Sequence, residues 1–246
     1  MSSDASGRAA RLAELAAEVH DCRRCPRLVA WREAEAADPP RRYRGQDYWA
    51  RAVSGFGDPA ARILIVGLAP AAHGGNRTGR VFTGDRSGDF IFASLYRCGL
   101  AARPDSVTAG DGQRLIGARV AAVVRCAPPE NKPTPQERDR CLPWLTAELR
   151  MVTPALRVIV CLGGFAWQAL WPVLAAAGYE MPRPRQAFGH GAETVLGSEG
   201  QPDVLLLGCY HPSQQNTFTG RLTPAMADQI FTRASAFARG EVLRGE

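Results

Sequence analysis

Lysine is nearly missing from this 246-residue chain: of 30 basic side chains only Lys132 is a lysine, and the rest are arginine. Chemistry through a Schiff base therefore has Lys132 and the N-terminal amine as its only starting points. Long apolar runs are missing too. None approaches the roughly 18 residues that a membrane-spanning helix needs, and no apolar signal core precedes the amphipathic stretch Arg8 to Val19. The expectation is a soluble, cytoplasmic protein with no membrane partner. No internal repeat is evident, and a chain of this length is expected to form one domain, 1–246, with ample core.

What is present begins with seven cysteines, an odd set in a chain too long to need disulfides. Cys98, Cys161 and Cys209 fall in apolar patterns and are expected as small buried hydrophobes. The other four differ. Cys22-x-x-Cys25 lies in the polar run Asp21 to Pro26, and Cys126 and Cys141 have fourteen residues between them. A pair two apart grips either zinc or iron. Because the second pair is not Cys-x-x-Cys, the cage is wider than a zinc ribbon, which favours a [4Fe-4S] cluster held by Cys22, Cys25, Cys126 and Cys141. The cluster would tie the N-terminal segment to the 126–141 segment.

Net charge is +6, with arginine clusters at Arg23, Arg24, Arg27 and at Arg41, Arg42, Arg44. Arginine suits phosphate geometry, so an anionic partner fits, although a general preference for arginine over lysine produces the same pattern.

Four runs read as buried strands: Arg62 to Gly67, Val120 to Arg125, Arg157 to Leu162, and Val204 to Cys209. Helical patterns alternate with them at Gly88 to Leu100, Gln136 to Val152, Gly164 to Ala177 and Pro224 to Ala238. The second of these opens on a capping box, Thr134-Pro135-Gln136-Glu137. Alternation predicts an α/β three-layer sandwich with a central, mainly parallel four-stranded sheet flanked by helices. Segments Asp38 to Gly57 and Gly178 to Gln201 have no clear period and read as irregular excursions. Ligands of such sheets bind beyond the carboxyl ends of the strands. Three polar turns stand there: Gly67 to Arg86, Cys126 to Thr134, and Tyr210 to Thr219.

Four segments carry a resemblance: Gly67-Leu68-Ala69-Pro70-Ala71-Ala72-His73-Gly74, the run Asn76 to Gly88, the run Arg125 to Pro133, and His211-Pro212-Ser213-Gln214-Gln215-Asn216-Thr217. With them the chain resembles the uracil-DNA glycosylase superfamily, in its iron–sulfur branch and there in family 5 (type B). The resemblance implies a structural [4Fe-4S] cluster and a monomer acting on double-stranded or single-stranded DNA. It also implies excision of uracil and other deaminated or modified bases. Family 4 relatives carry an acidic residue directly after the first glycine; Leu68-Ala69 stand here, and the resemblance implies that Asp85 takes over at least part of that role. Gly67, Ala69, Phe82 and Asn131 are the implied substrate-binding residues.

Breaking an N-glycosidic bond puts positive charge on the sugar and negative charge on the leaving base. His211 is the candidate donor to the base, and Asp85 the candidate for steadying the cation and orienting water. The Asn131 carboxamide can accept from uracil N3 and donate to O4, with Phe82 stacking on the ring. Ser213, Gln214, Gln215 and Asn216 occupy the place of a DNA clamp, where related enzymes present an apolar wedge and this chain is polar. With no lysine in the quoted motifs except Lys132, the enzyme is expected to be monofunctional and to leave an abasic site. Two other classes compete: a non-catalytic iron–sulfur or zinc nucleic-acid-binding module, and an electron-transfer protein, against which the absence of a flavin or dinucleotide motif speaks.

Overall fold

A computed structural model describes residues 2–241 of the chain. Its sheet has six strands in the order β1-β3-β2-β4-β6-β5. They are β1 (Phe56–Gly57), β2 (Ile63–Gly67), β3 (Ala118–Ala122), β4 (Val158–Leu162), β5 (Glu193–Leu196) and β6 (Val204–Cys209). The four inner strands run parallel, while β1 and β5 close the edges antiparallel to β3 and β6.

Every residue of β2, β3, β4 and β6 is buried. Period-two alternation then divides each strand between two cores. Leu64, Val66, Ile159, Cys161 and Leu206 face the first core, which they share with helices α1 (Ser2–His20), α5 (Pro135–Val152) and α6 (Gly164–Ala176). Ile63, Ile65, Val158, Val160 and Leu207 face the second core, which they share with α4 (Arg86–Arg97) and α8 (Pro224–Arg239). The three layers follow from that division. Two short helices, α3 (Gly75–Thr78) and α7 (Gln214–Phe218), lie in the turns beyond the strand ends, and α2 (Pro26–Ala37) follows the first cysteine pair.

The α/β sandwich and its parallel core agree with expectation, and the strand count does not: six stand where four were expected. Both extra strands fall in segments read as irregular. β1 is two residues long, and β5 exposes Glu193 and Val195. An edge strand wetted on one side carries no continuous apolar run to read. β3 begins two residues before its expected start because it contains Arg119, whose guanidinium is buried against Glu148 (2.5 Å). The capping box is present in both legs, Glu137 N–H to Thr134 Oγ1 (3.2 Å) and Thr134 N–H to the Glu137 carboxylate (2.8 Å). Of the three cysteines expected in the core, Cys161 and Cys209 are buried, while Cys98 ends α4 partly exposed. Among the described residues no helix is long and apolar enough to cross a membrane.

Candidate active site

β2, β3, β4 and β6 end side by side, and the turns that leave them meet over the sheet's carboxyl edge. They enclose a cavity of about 430 Å³. Ala69 lines it from the turn after β2, Phe82 and Asp85 from the approach to α4, Asn131 from the loop after β3, and His211, Ser213, Gln214 and Gln215 from the turn after β6. Eight of the ten predicted substrate, catalytic and DNA residues thus share one cavity. Among the described residues that line it, Asp85 is the single carboxylate and His211 the single imidazole.

The two remaining residues act from behind. Gly67 lies beneath Phe82: a methyl group there would sit 2.5 Å from the Phe82 ring, so glycine is what lets the ring lie across the end of β2. Asn216 turns inward, and its carboxamide donates to the His211 carbonyl (2.8 Å). Asn216 therefore holds the histidine turn.

Phe82 (φ 52°) and Asn131 (φ 57°) both adopt the left-handed conformation, which is costly for any residue but glycine and strained for a bulky phenylalanine. Strain of this kind, about 1–3 kcal/mol per residue, persists where surrounding structure enforces it and gathers at binding sites. Phe82 is held by the second core and faces His211 at 6.5 Å between ring centroids.

Asp85 is the N-cap of α4, accepting from the Gly88 N–H (2.9 Å) through one carboxylate oxygen. Its other oxygen lies against Gly74, where any side chain would collide with it. Burial pushes the Asp85 carboxyl above the usual carboxylate range, against the opposing pull of the Gly88 N–H. That shift moves a carboxylate toward the basicity a general base needs near neutral pH. His211 keeps a partly exposed face, while the protein packed around its ring lowers its pKa to about 4 by desolvation alone. The imidazole is therefore neutral at pH 7 and can donate one N–H. Its backbone is fixed from two sides, by Asn216 and by the Ser87 hydroxyl, which donates to the Pro212 carbonyl (2.9 Å).

Cys22 and Cys25, Cys126, and Cys141 converge from three places in the chain onto a second, smaller cavity beside Arg125 and Trp144. Cys141 sits in the second turn of α5, inside the helix expected over Gln136 to Val152. Burial pushes the thiol of Cys126 up to about 11 and that of Cys141 up to about 12. Among the described residues no three His, Cys, Asp or Glu side chains are gathered to grip a single metal ion.

Arg32 is 1% exposed, and its guanidinium donates to Cys126 Sγ (3.0 Å) and to the Cys22 carbonyl (3.2 Å). Its Nε is buried with no partner, as are Nε and Nη1 of Arg125. A fully buried cation facing protonated thiols is poorly compensated. Sequence reasoning missed Arg32, although its spacing from Leu28 and Val29 puts it on the buried face of α2.

The profile of the Uracil DNA glycosylase superfamily matches residues 54–234. A Type-5 uracil-DNA glycosylase of Mycobacterium tuberculosis is 55% identical over 233 residues, which cover 95% of this chain and 84% of that protein. One of Thermus thermophilus is 49% identical over 217 residues, 88% of this chain and 94% of that protein. A Type-4 uracil-DNA glycosylase of Archaeoglobus fulgidus is 32% identical over 120 residues, about half of either chain.

The chain belongs to the uracil DNA glycosylase superfamily. The matched span of this superfamily member contains the whole sheet and all three turns around the cavity, while Cys22 and Cys25 precede it.

Proposed function

We propose that this superfamily member is a monofunctional uracil-DNA glycosylase. It hydrolyses the N-glycosidic bond of uracil, and of other deaminated or modified bases, and leaves an abasic site for base excision repair. One observation carries the reading: the His211 imidazole and the Asp85 carboxylate face one cavity of about 430 Å³ at the sheet's carboxyl edge, in a chain 55% identical to a Type-5 uracil-DNA glycosylase.

The chemistry divides between those two groups. As the bond stretches, negative charge grows on the base, and the His211 N–H donates to uracil O2. A neutral donor in a desolvated site strengthens as that charge develops, and such a donor contributes roughly 3–4 kcal/mol. Positive charge on the sugar is offset by the Asp85 carboxylate, whose raised basicity suits it to orient and deprotonate the attacking water. Asn131 presents its carboxamide to N3 and O4, and the Phe82 ring stacks on the base from the sheet side. Ser213, Gln214 and Gln215 flank the mouth where the strand enters. The partner is uracil-bearing DNA, duplex or single strand, met by a monomer in the nucleoid.

Cys22, Cys25, Cys126 and Cys141 would hold a [4Fe-4S] cluster. Bound there, it supplies a structural clasp between chain segments and an anionic charge opposite Arg32 and Arg125. The orphaned guanidinium nitrogens of those two arginines support the assignment. Iron and acid-labile sulfide in anaerobically purified protein, lost together in Cys126→Ser, test it without reference to activity.

Incubation with uracil-containing duplex followed by alkali separates catalysis from binding. Strand scission at the uracil is expected. A mobility shift without scission would instead support the non-catalytic nucleic-acid-binding reading.

A further inference from the structure

The chain from Gly74 to Asp85 is a loop whose two ends touch, since the Asp85 carboxylate packs so closely on Gly74 that no side chain fits there. Arg77 binds both ends. From α3 its Nε donates to the His73 carbonyl (2.8 Å) and its Nη2 to the Gly84 carbonyl (2.9 Å), so one planar guanidinium bridges backbone eleven residues apart. Thr78 adds a second crossing, its hydroxyl 3.1 Å from the Gly74 carbonyl and 3.3 Å from the Thr83 carbonyl. Gly84 makes the approach possible, because a methyl group there would lie 2.5 Å from Arg77 Nη2.

The guanidinium is itself held by the irregular segment 38–57. Gln46 Oε1 accepts from its Nη1 (3.0 Å), the Tyr43 ring lies against it at 4.6 Å, and the Trp49 N–H donates to the Arg77 carbonyl (3.0 Å). Each of the three side-chain nitrogens thus already donates within the protein, which sets this arginine apart from one waiting for a phosphate. On the far side, α4 fixes one Asp85 oxygen through the Gly88 N–H (2.9 Å), and Gly74 walls the other. The carboxylate is gripped between helix and loop.

We propose that Arg77 is a positioning residue for hydrolysis of the glycosidic bond: by stapling the His73 and Gly84 carbonyls it presses Gly74 against Asp85 and fixes the direction of the carboxylate. The inference rests on the glycosylase reading above. It also gives the segment 38–57 a task, since Tyr43 and Gln46 set where the staple lies.

A staple and a bare charge leave different marks on Asp85. The charged or titratable groups around it are Arg77 from α3, Arg86 and Asp89 from α4, and His211 across the cavity, with His73, Arg42 and Glu130 lining the recess on its outer side. Burial pushes the Asp85 carboxyl up and Asp89 adds to that, while Arg77 joins the Gly88 and Ser87 N–H groups in pulling it down. Removing the cation therefore raises Asp85 further and moves the acid limb of the rate to higher pH. Lysine keeps the cation and loses the fork.

Arg77→Met and Arg77→Lys are compared with wild type in single-turnover uracil release and in carbon-13 NMR titration of the Asp85 carboxyl, whose resonance is identified by its absence from Asp85→Asn. Both variants should lose rate, up to about 100-fold for a misplacement on the order of 1 Å, because a lysine cannot span the two carbonyls. Only Arg77→Met should raise the Asp85 titration. Affinity for a duplex carrying a tetrahydrofuran abasic analogue should stay within about threefold of wild type in both. Gln46→Ala, at an exposed side chain, should lose rate in the same direction and to a smaller extent, which keeps the test open should the Arg77 variants melt early.

Release rates within about threefold of wild type in both Arg77 variants would overturn the proposal. So would full rescue by lysine, which would make Arg77 a charge and not a staple. A loss confined to affinity, with the salt dependence lowered by about one phosphate, would make it a DNA contact and overturn the proposal as well. An unchanged rate in Gln46→Ala beside misfolded Arg77 variants would do the same. Absence of release by wild type refutes the glycosylase reading, whereas release by wild type with rate and Asp85 titration indifferent to Arg77 refutes this inference alone.

Discussion

Replacing His211 by alanine removes the one imidazole in the cavity and should lower the rate of uracil release by about 100- to 1,000-fold, the usual cost of losing one preorganised donor to a developing anion. The magnitude depends on the ring being a neutral donor. Its pKa falls from 6.5 to about 4 by desolvation, so on the order of one ring in a thousand is charged at pH 7. The sign of the pH effects follows. Activity should show no inflection between pH 6 and 7, where an ordinary histidine titrates, and the ring should charge only as pH falls through about 4. The unfolded chain binds the proton from about 6.5 downward while the folded ring resists it, so His211 erodes stability as pH drops from 6.5 toward 4. Single-turnover uracil release, followed across pH for wild type and His211→Ala, is the assay. A rate loss below tenfold, or an inflection near pH 6.5 present in wild type and absent from the variant, would refute the neutral-donor argument.

Asp85→Asn keeps a side-chain acceptor for the Gly88 N–H but loses the base, so its melting temperature should hold while single-turnover rates fall by about 100-fold or more. The wild-type acid limb should lie above the usual aspartate range, because burial raises Asp85, and Asp85→Asn should lose that limb. Glu148 is 2% exposed and shared by Arg119 (2.5 Å) and Arg125 (2.6 Å); Glu148→Gln leaves two buried guanidinium groups without their carboxylate and should cost about 3–5 kcal/mol. Thermal melting should then fall by roughly 6–20 °C, and a drop under 3 °C would contradict the buried-pair reading. Borohydride trapping on uracil-containing DNA should yield no covalent adduct, since Lys132, although beside Asn131, is an exposed lysine paired with Glu130 (2.9 Å).

The parallel core was legible because strands buried on both faces are apolar at every position, and β2, β4 and β6 read off within one residue of their bounds. Arg119 obscured β3, since an arginine paired with Glu148 inside the protein looks in sequence like a surface residue. Edge strands β1 and β5 lack that signal, being short or half wet. The three turns of the site were legible as polar breaks after apolar runs, and their convergence followed from parallel topology. What sequence could not supply was direction. Asn216 reads as one more polar residue of a DNA-facing turn, and only the fold turns its amide onto the His211 carbonyl. Phe82 gives no sign of its left-handed backbone, because Gly67, fifteen residues earlier, creates the space its ring enters. Arg32 is the converse case, a charge placed inside against its ordinary preference by the cysteine sulfur it faces.

The central claim is tested most directly by counting products. Incubated with duplex bearing one uracil per molecule, the protein should release free uracil, quantified by mass spectrometry, one for one with abasic sites in otherwise unbroken strands. Strand breaks formed without alkali, or full retention of uracil in DNA that the protein has bound, would contradict it.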